Sequence, residues 1–206
     1  MRYAWSLWAA LLILSVPAVA SAALYPEASV WGSLQAGAAL DQRKAEADFM
    51  ARLAAAMPEA FGPQLRLRLI IEQNGRGPEM VGLKQTASGY RLVAAEPAAW
   101  LKTKPKGPVS RCESPIAPKS GEALVAAWQR VLLATSYADK PGFGGSGDID
   151  HFAMTLEGRW LAGWVYAPEA ATPPGRLQEI ALTMKAVCMG AAKQSDLDAA
   201  VNAAQL

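Results

Sequence analysis

Ser146, Asp148 and His151 fall within six positions and carry the residue types of a nucleophile, an orienting acid and a base. His151 is the only histidine of the chain, so imidazole proton transfer near neutral pH would have to use it. Asp150 adds a second carboxylate beside it. Two chemistries come to mind, hydrolysis and cation binding, and the local pattern opposes both. Hydrolytic triads draw their members from separate elements so that they meet at set angles, and the chain has no G-x-S-x-G elbow. In an extended strand Asp148 and Asp150 point one way and His151 the other, so the three converge only if this stretch curls as a loop. One histidine without a second cluster of histidine, cysteine or glutamate is thin for zinc. The run Gly144-Gly145-Ser146-Gly147-Asp148 superficially suggests a calcium-binding glycine–aspartate repeat, but the aspartates fall out of register and there is one copy. No Gly-Lys-Ser/Thr follows to cradle a phosphate. The sequence therefore assigns no catalytic residue, no metal and no cofactor.

A sharper pattern lies just downstream. If Glu157-Gly158 is a two-residue turn between strands, Leu156 faces Arg159, Thr155 faces Trp160, Ala153 faces Ala162 and His151 faces Trp164. One face of the ribbon then collects His151, Thr155, Trp160, Trp164 and Tyr166. The other collects Phe152, Met154, Leu156, Leu161 and Val165, which is core. Aromatic rings with polar tips stack sugars and anchor protein partners, so the first face is the expected ligand or partner face. The competing reading is that helices cover both faces and the tryptophans are core. A one-residue change of register would dissolve the cluster.

The elements that must position this ribbon follow from periodicity. Residues 34–57 carry Leu40, Ala47, Met50, Leu53, Ala54 and Met57 at helical spacing, with charges at Asp41, Arg43, Lys44, Glu46 and Asp48 opposite, and Pro58 ends the helix. Leu65, Leu67, Leu69 and Ile71 then alternate as a strand with one apolar face. Strands over Met80–Gln85 and Tyr90–Ala95 complete a meander. Residues 96–119 hold five prolines with several lysines, and read as a solvated loop that Cys112 would pin. Ser120 is the expected cap of a helix burying Leu124, Ala127, Trp128, Val131 and Leu132. A glycine-rich loop over 141–147 leads to the hairpin. Pro173-Pro174-Gly175 opens a helix with Leu177, Ile180, Ala181, Met184, Val187 and Cys188 inward, and a last helix runs from Asp196 to Ala204. The fold class is α+β: an antiparallel sheet of about five strands, meander plus later hairpin, packed with three to four helices. The hairpin either extends the meander's sheet or stands apart.

The N-terminus supplies an address. Arg2, the apolar run Ala9–Val16 and Ala20-Ser21-Ala22 have the order of a secretory signal peptide, cleaved between Ala22 and Ala23. Removing it leaves 206 − 22 = 184 residues, one domain over 23–206, and lowers the formal charge from +2 to +1 as Arg2 leaves. That balance gives no electrostatic footprint for nucleic acid, and no apolar run after the signal reaches membrane-spanning length. The two cysteines, Cys112 and Cys188, are expected to pair in an oxidising compartment, periplasmic or extracellular. They lack the C-x-x-C spacing of a redox pair.

Residues 110–190 resemble a group of small exported bacterial proteins. The matching features are Arg111-Cys112-Glu113, Trp128 with Leu132-Leu133-Ala134-Thr135-Ser136-Tyr137, Asp148 with His151-Phe152, Gly163 with Pro168, and a closing helix ending in Cys188. The group's middle motif reads D-G-x-x-Y-H-F and its next strand ends in W-S-P. Here Ile149 follows Asp148 where the group has glycine, Asp150 precedes His151 where it has tyrosine, with the two residues between them missing, and Val165-Tyr166-Ala167-Pro168 replaces W-S-P. The resemblance implies an exported, disulfide-linked protein and brings no activity or cofactor with it.

The sequence thus points to a non-enzymatic interaction protein of the cell envelope, an inhibitor, immunity factor or accessory subunit whose partner is an envelope protein. Two alternatives stay open. A carrier of a small molecule or glycan would need a concave cavity lined by Trp160 and Trp164. An exported hydrolase would need His151 and Asp148 within hydrogen-bond reach.

Overall fold

The computed structural model describes residues 40–73, 76–101, 104–135 and 147–204. The expected signal sequence with its expected cleavage site, the first residues of the expected opening helix, Ser146 and most of the glycine-rich loop lie outside the described residues.

Six antiparallel strands form one sheet in the order β4-β3-β2-β1-β5-β6. They are β1 (Leu65–Glu72), β2 (Glu79–Thr86), β3 (Gly89–Leu101), β4 (Lys104–Ile116), β5 (Ile149–Leu156) and β6 (Arg159–Tyr166). Four helices accompany them: α1 (Leu40–Ala56), α2 (Pro118–Leu133), α3 (Pro173–Cys188) and α4 (Gln194–Ala203). The class is α+β, with one strand more than the periodicity suggests. The meander fills one side of the sheet, and the hairpin extends it because β5 pairs with β1, Leu69 opposite Phe152 and Ile70 opposite His151.

The additional strand comes from the proline- and lysine-rich segment. It is not a loop: β3 runs on to Leu101 and returns as β4, where Cys112 lies opposite Ala94. Proline lacks the N–H that an interior strand must donate, but an edge strand has one side with no ladder to feed. Pro105, Pro108 and Pro115 all lie on β4, which is such an edge. Pro97 lies on β3 beyond the last paired residue of β2, next to a register shift.

β1 also departs from expectation. It has two buried faces rather than one, with Arg68 and Ile70 as well as Leu67, Leu69 and Ile71 shielded. The reason is a helical layer on each side of the sheet. On one side α2, α3 and α4 lay Leu124, Trp128, Leu177, Ile180, Met184 and Leu197 over Leu67, Leu69, Val81, Leu92, Phe152 and Val165. On the other, α1 and the 3₁₀ turn Pro58–Phe61 lay Phe49, Leu53, Met57 and Ala60 over Ile70, Met80, Val93 and Ala95. Leu65 joins this second side because the register slips between Leu65 and Leu67. In α1, Ala47 is exposed and Phe49 takes the inward position.

Local details fit these layers. Ala117, not Ser120, caps α2, and Pro118 starts the first turn, where its missing N–H costs nothing. Ser120 instead donates to Asp198 on α4 at 2.6 Å, locking two helices together. Gly121 lets α2 approach the sheet: a Cβ there would meet the Tyr90 ring at 2.2 Å. Thr172 caps α3, its hydroxyl accepting from the Gly175 N–H. Cys112 and Cys188 are joined by a disulfide with Cα atoms 5.9 Å apart, tying β4 to the end of α3. No helix among the described residues is long and apolar enough to cross a membrane.

Candidate binding site on the β5–β6 ribbon

The turn that decides the ribbon has Glu157 and Gly158 both in the left-handed region, at φ 49° and 74°. Two such residues make the mirror-image turn whose twist matches that of the flanking strands. The resulting register pairs Leu156 with Arg159, Thr155 with Trp160, Ala153 with Ala162 and His151 with Trp164, as the two-residue turn requires. His151, Thr155, Trp160, Trp164 and Tyr166 therefore share one face, the face that α1 covers in part.

That face has a sheltered end and an open end. At the sheltered end Phe49 of α1 sits 5.9 Å from the His151 ring, and His151 Nε2 lies 3.6 Å from a Glu72 carboxylate oxygen. Tyr166 accepts a hydrogen bond from the Gly147 N–H and so fixes the approach to β5. Trp164 is half-buried, and its indole N–H has no hydrogen-bond partner. At the open end Thr155 donates to the Leu65 carbonyl at 3.3 Å, and Trp160 is 46% exposed.

Trp160 is nonetheless held. The Arg68 guanidinium lies 4.9 Å from its ring centroid and 4.3 Å from that of Phe61. Arg68 is 7% exposed and donates to the Ala60 carbonyl at 2.6 Å. Burial pulls its pKa down to about 10, still far above neutral pH, so it stays charged. A desolvated cation between two aromatic faces contributes about 1–2 kcal/mol per contact. The stack Phe61–Arg68–Trp160 thus presents one face of a tryptophan to solvent in a fixed orientation. Arg68 and Phe61, which hold Trp160 in place, are not among the residues to which the sequence points. The available signal was a lone arginine between Leu67 and Leu69 in a strand whose next outward residue, Ile70, is apolar.

Asp150 and His151 separate as strand alternation requires. Asp150 lies opposite Ile71 and Val165, on the face covered by α2 and α3, while His151 lies on the α1 face. Asp150 is fully buried and neither carboxylate oxygen has a hydrogen-bond partner. Burial, with the charges of Asp148 and Glu79 adding to it, pushes its pKa up to about 8, so it holds its proton at neutral pH. Farther along the same row Glu79, 4% exposed, accepts from Gln73 and from Lys185 of α3, and Lys185 also reaches Glu96 at 2.6 Å. Burial pulls the Lys185 pKa down, but its bonds to Glu79 and Glu96 outweigh this and leave it raised. No group of three or more metal-ligating side chains converges among the described residues.

A shallow cavity of about 230 Å³ opens toward β4, between Glu59, Lys84, Val93, Arg111 and Glu113, with neither Trp160 nor Trp164 in its wall. Its charges are mutually paired: Glu113 bridges Lys84 and Arg91, and Arg111 bonds Glu59 at 2.8 Å.

No family model, curated protein or solved structure matches this chain. The functional reading accordingly rests on the geometry of the chain itself.

Proposed function

We propose that this is an exported, non-enzymatic interaction protein of the cell envelope, periplasmic or secreted, and that it engages a protein partner through the open end of the aromatic ribbon. The observation that carries the reading is Trp160, 46% exposed yet stacked on a buried arginine. A large aromatic ring held still loses little conformational entropy on contact, the property of residues that dominate interfaces. The signal-like N-terminus and the disulfide support export. The test is cross-linking in the intact envelope of the native host. One dominant protein captured by the wild type, and lost in a folded Trp160→Ala/Trp164→Ala variant, is the expected result. Capture that is unchanged in that variant contradicts the reading.

A further inference from the structure

We infer that β6 is a self-association edge: two copies of this chain pair their β6 strands antiparallel about a two-fold axis through Ala162, joining two sheets into one. The inference does not depend on the identity of any envelope partner.

The backbone of β6 is set to pair outward. In an antiparallel ladder, alternate residues bond inward and the residues between them point their N–H and C=O outward. The Ala167 N–H donates to the Asp148 carbonyl at 2.8 Å, which fixes the parity of the β5–β6 ladder. Arg159, Leu161, Gly163 and Val165 share the parity of Ala167 and bond to β5. Trp160, Ala162 and Trp164 direct their backbone groups away from β5. β6 is the terminal strand of the sheet, and no described strand lies beyond it.

The edge is also self-complementary. A two-fold interface brings a patch against its own copy. With Ala162 opposite Ala162 of the second copy, Trp160 falls opposite Trp164 and Trp164 opposite Trp160. The outward-pointing residues of each strand then meet one another and exchange roughly six hydrogen bonds. Tryptophan pairs flank the axis, and aromatic pairs directly opposite one another stabilise cross-strand contacts, with the small Ala162 on the axis itself. The strand carries no charge from Trp160 to Tyr166, and Arg159 falls opposite Val165, so no like charges oppose.

The opposite edge closes the assembly. The other edge, β4, carries three prolines, a register shift where it pairs with β3, and Gly107 at φ 83°. These features blunt an edge against pairing. Among the described residues, one uncovered edge and one blunted edge give a closed dimer rather than a fibre. The dimer sets two Trp160–Arg68–Phe61 stacks on one continuous face.

The test uses the oxidised chain without its signal sequence. Light scattering should give twice the chain mass at high concentration. Ala162→Lys, which places two ammonium groups at the axis, should return it to one chain mass with an unchanged circular dichroism spectrum. Ala162→Cys should form an intermolecular disulfide on mild oxidation, because residues opposed at about 5.5 Å lie within bonding range. Ser110→Cys on β4 is the control and should cross-link only at the collision rate. A wild type that stays at one chain mass at its highest soluble concentration overturns the proposal. Equal cross-linking of the two cysteine variants overturns it as well, and it does so even if Ala162→Lys fails to fold.

Discussion

The two edges of the sheet answer the same hazard in opposite ways. β4 spends thirteen residues on a strand that other chains cannot easily extend: Pro105, Pro108 and Pro115 withhold donors, and Gly107 breaks the pleat with a positive φ. It is also covalently held, through Cys112, to α3. β6 has eight residues, Arg-Trp-Leu-Ala-Gly-Trp-Val-Tyr, with no proline and one charge at its start. Its attachments include the ladder to β5, the Leu161 and Val165 side chains under the helices, the Arg68 stack beneath Trp160 and the hydrogen bond from Gly147 to Tyr166. An edge left unprotected is ordinarily an aggregation site. Here no described strand lies beyond β6, and the opposite edge is thoroughly blunted, which marks β6 as the working side of the molecule and β4 as the side kept inert.

The largest effect should come from freeing the inert edge. Cys112 and Cys188 are 76 residues apart in sequence, and closing a loop of that length lowers the entropy of the unfolded chain by the equivalent of about 4 kcal/mol. Cys112→Ser/Cys188→Ser should therefore lose about 2–5 kcal/mol in urea unfolding. An unchanged midpoint would mean that β4 is held by its ladder alone. Next is the support beneath the working edge. Arg68→Ala removes the stack and leaves the Ala60 carbonyl without its donor, and should cost about 2–4 kcal/mol. Arg68→Met, which keeps the stem, should recover much of that loss while Trp160 fluorescence still reports a freed ring. If both variants unfold at the wild-type midpoint, the stack is incidental.

Asp150, behind the working edge, should give a smaller effect with a distinctive pH dependence. Its unfolded carboxyl titrates near the ordinary value of about 4, and its folded one near 8. Between these values the native state holds a proton that the unfolded state has released, so stability falls as pH rises. The contribution is complete below about pH 4, declines up to about pH 8 and is then level. Asp150→Asn should flatten that decline and gain about 1–3 kcal/mol at pH 8; a variant whose stability falls with pH as steeply as the wild type's would remove Asp150 as its source. The smallest effect on stability belongs to Trp160→Ala, about 1–2 kcal/mol, the worth of its contact with Arg68, because the ring is otherwise half in water. Binding should suffer far more than folding. A melting temperature that drops as much as for Arg68→Ala would make Trp160 part of the core.

What the sequence made legible follows from which forces are local. The hairpin register was readable because Glu157-Gly158 sets it within four residues, and the inward stripes of α2 and α3 because helical periodicity is local too. β4 was not readable, because proline content signals a loop unless the strand is known to be an edge, and edge position is a property of the whole sheet. The second buried face of β1 was hidden for a related reason: Arg68 breaks the apolar pattern, and its partners Phe61 and Trp160 lie seven and ninety-two positions away. Of the candidate site, the shared face of His151, Thr155, Trp160, Trp164 and Tyr166 could be derived from spacing. Which end of it stays open could not, because that depends on where Phe49 of α1 comes to rest.

The contrast between the edges is tested most directly by amide hydrogen exchange followed residue by residue along β6 and β4 as protein concentration rises. The amides of Leu161, Gly163 and Val165, bonded to β5, should be protected throughout. Those of Trp160, Ala162 and Trp164 should exchange quickly in dilute protein and become protected as concentration rises, while exchange along β4 stays unchanged. Outward β6 amides that exchange equally fast at every concentration, or protection that grows along β4 instead, would contradict the assignment of β6 as the working edge.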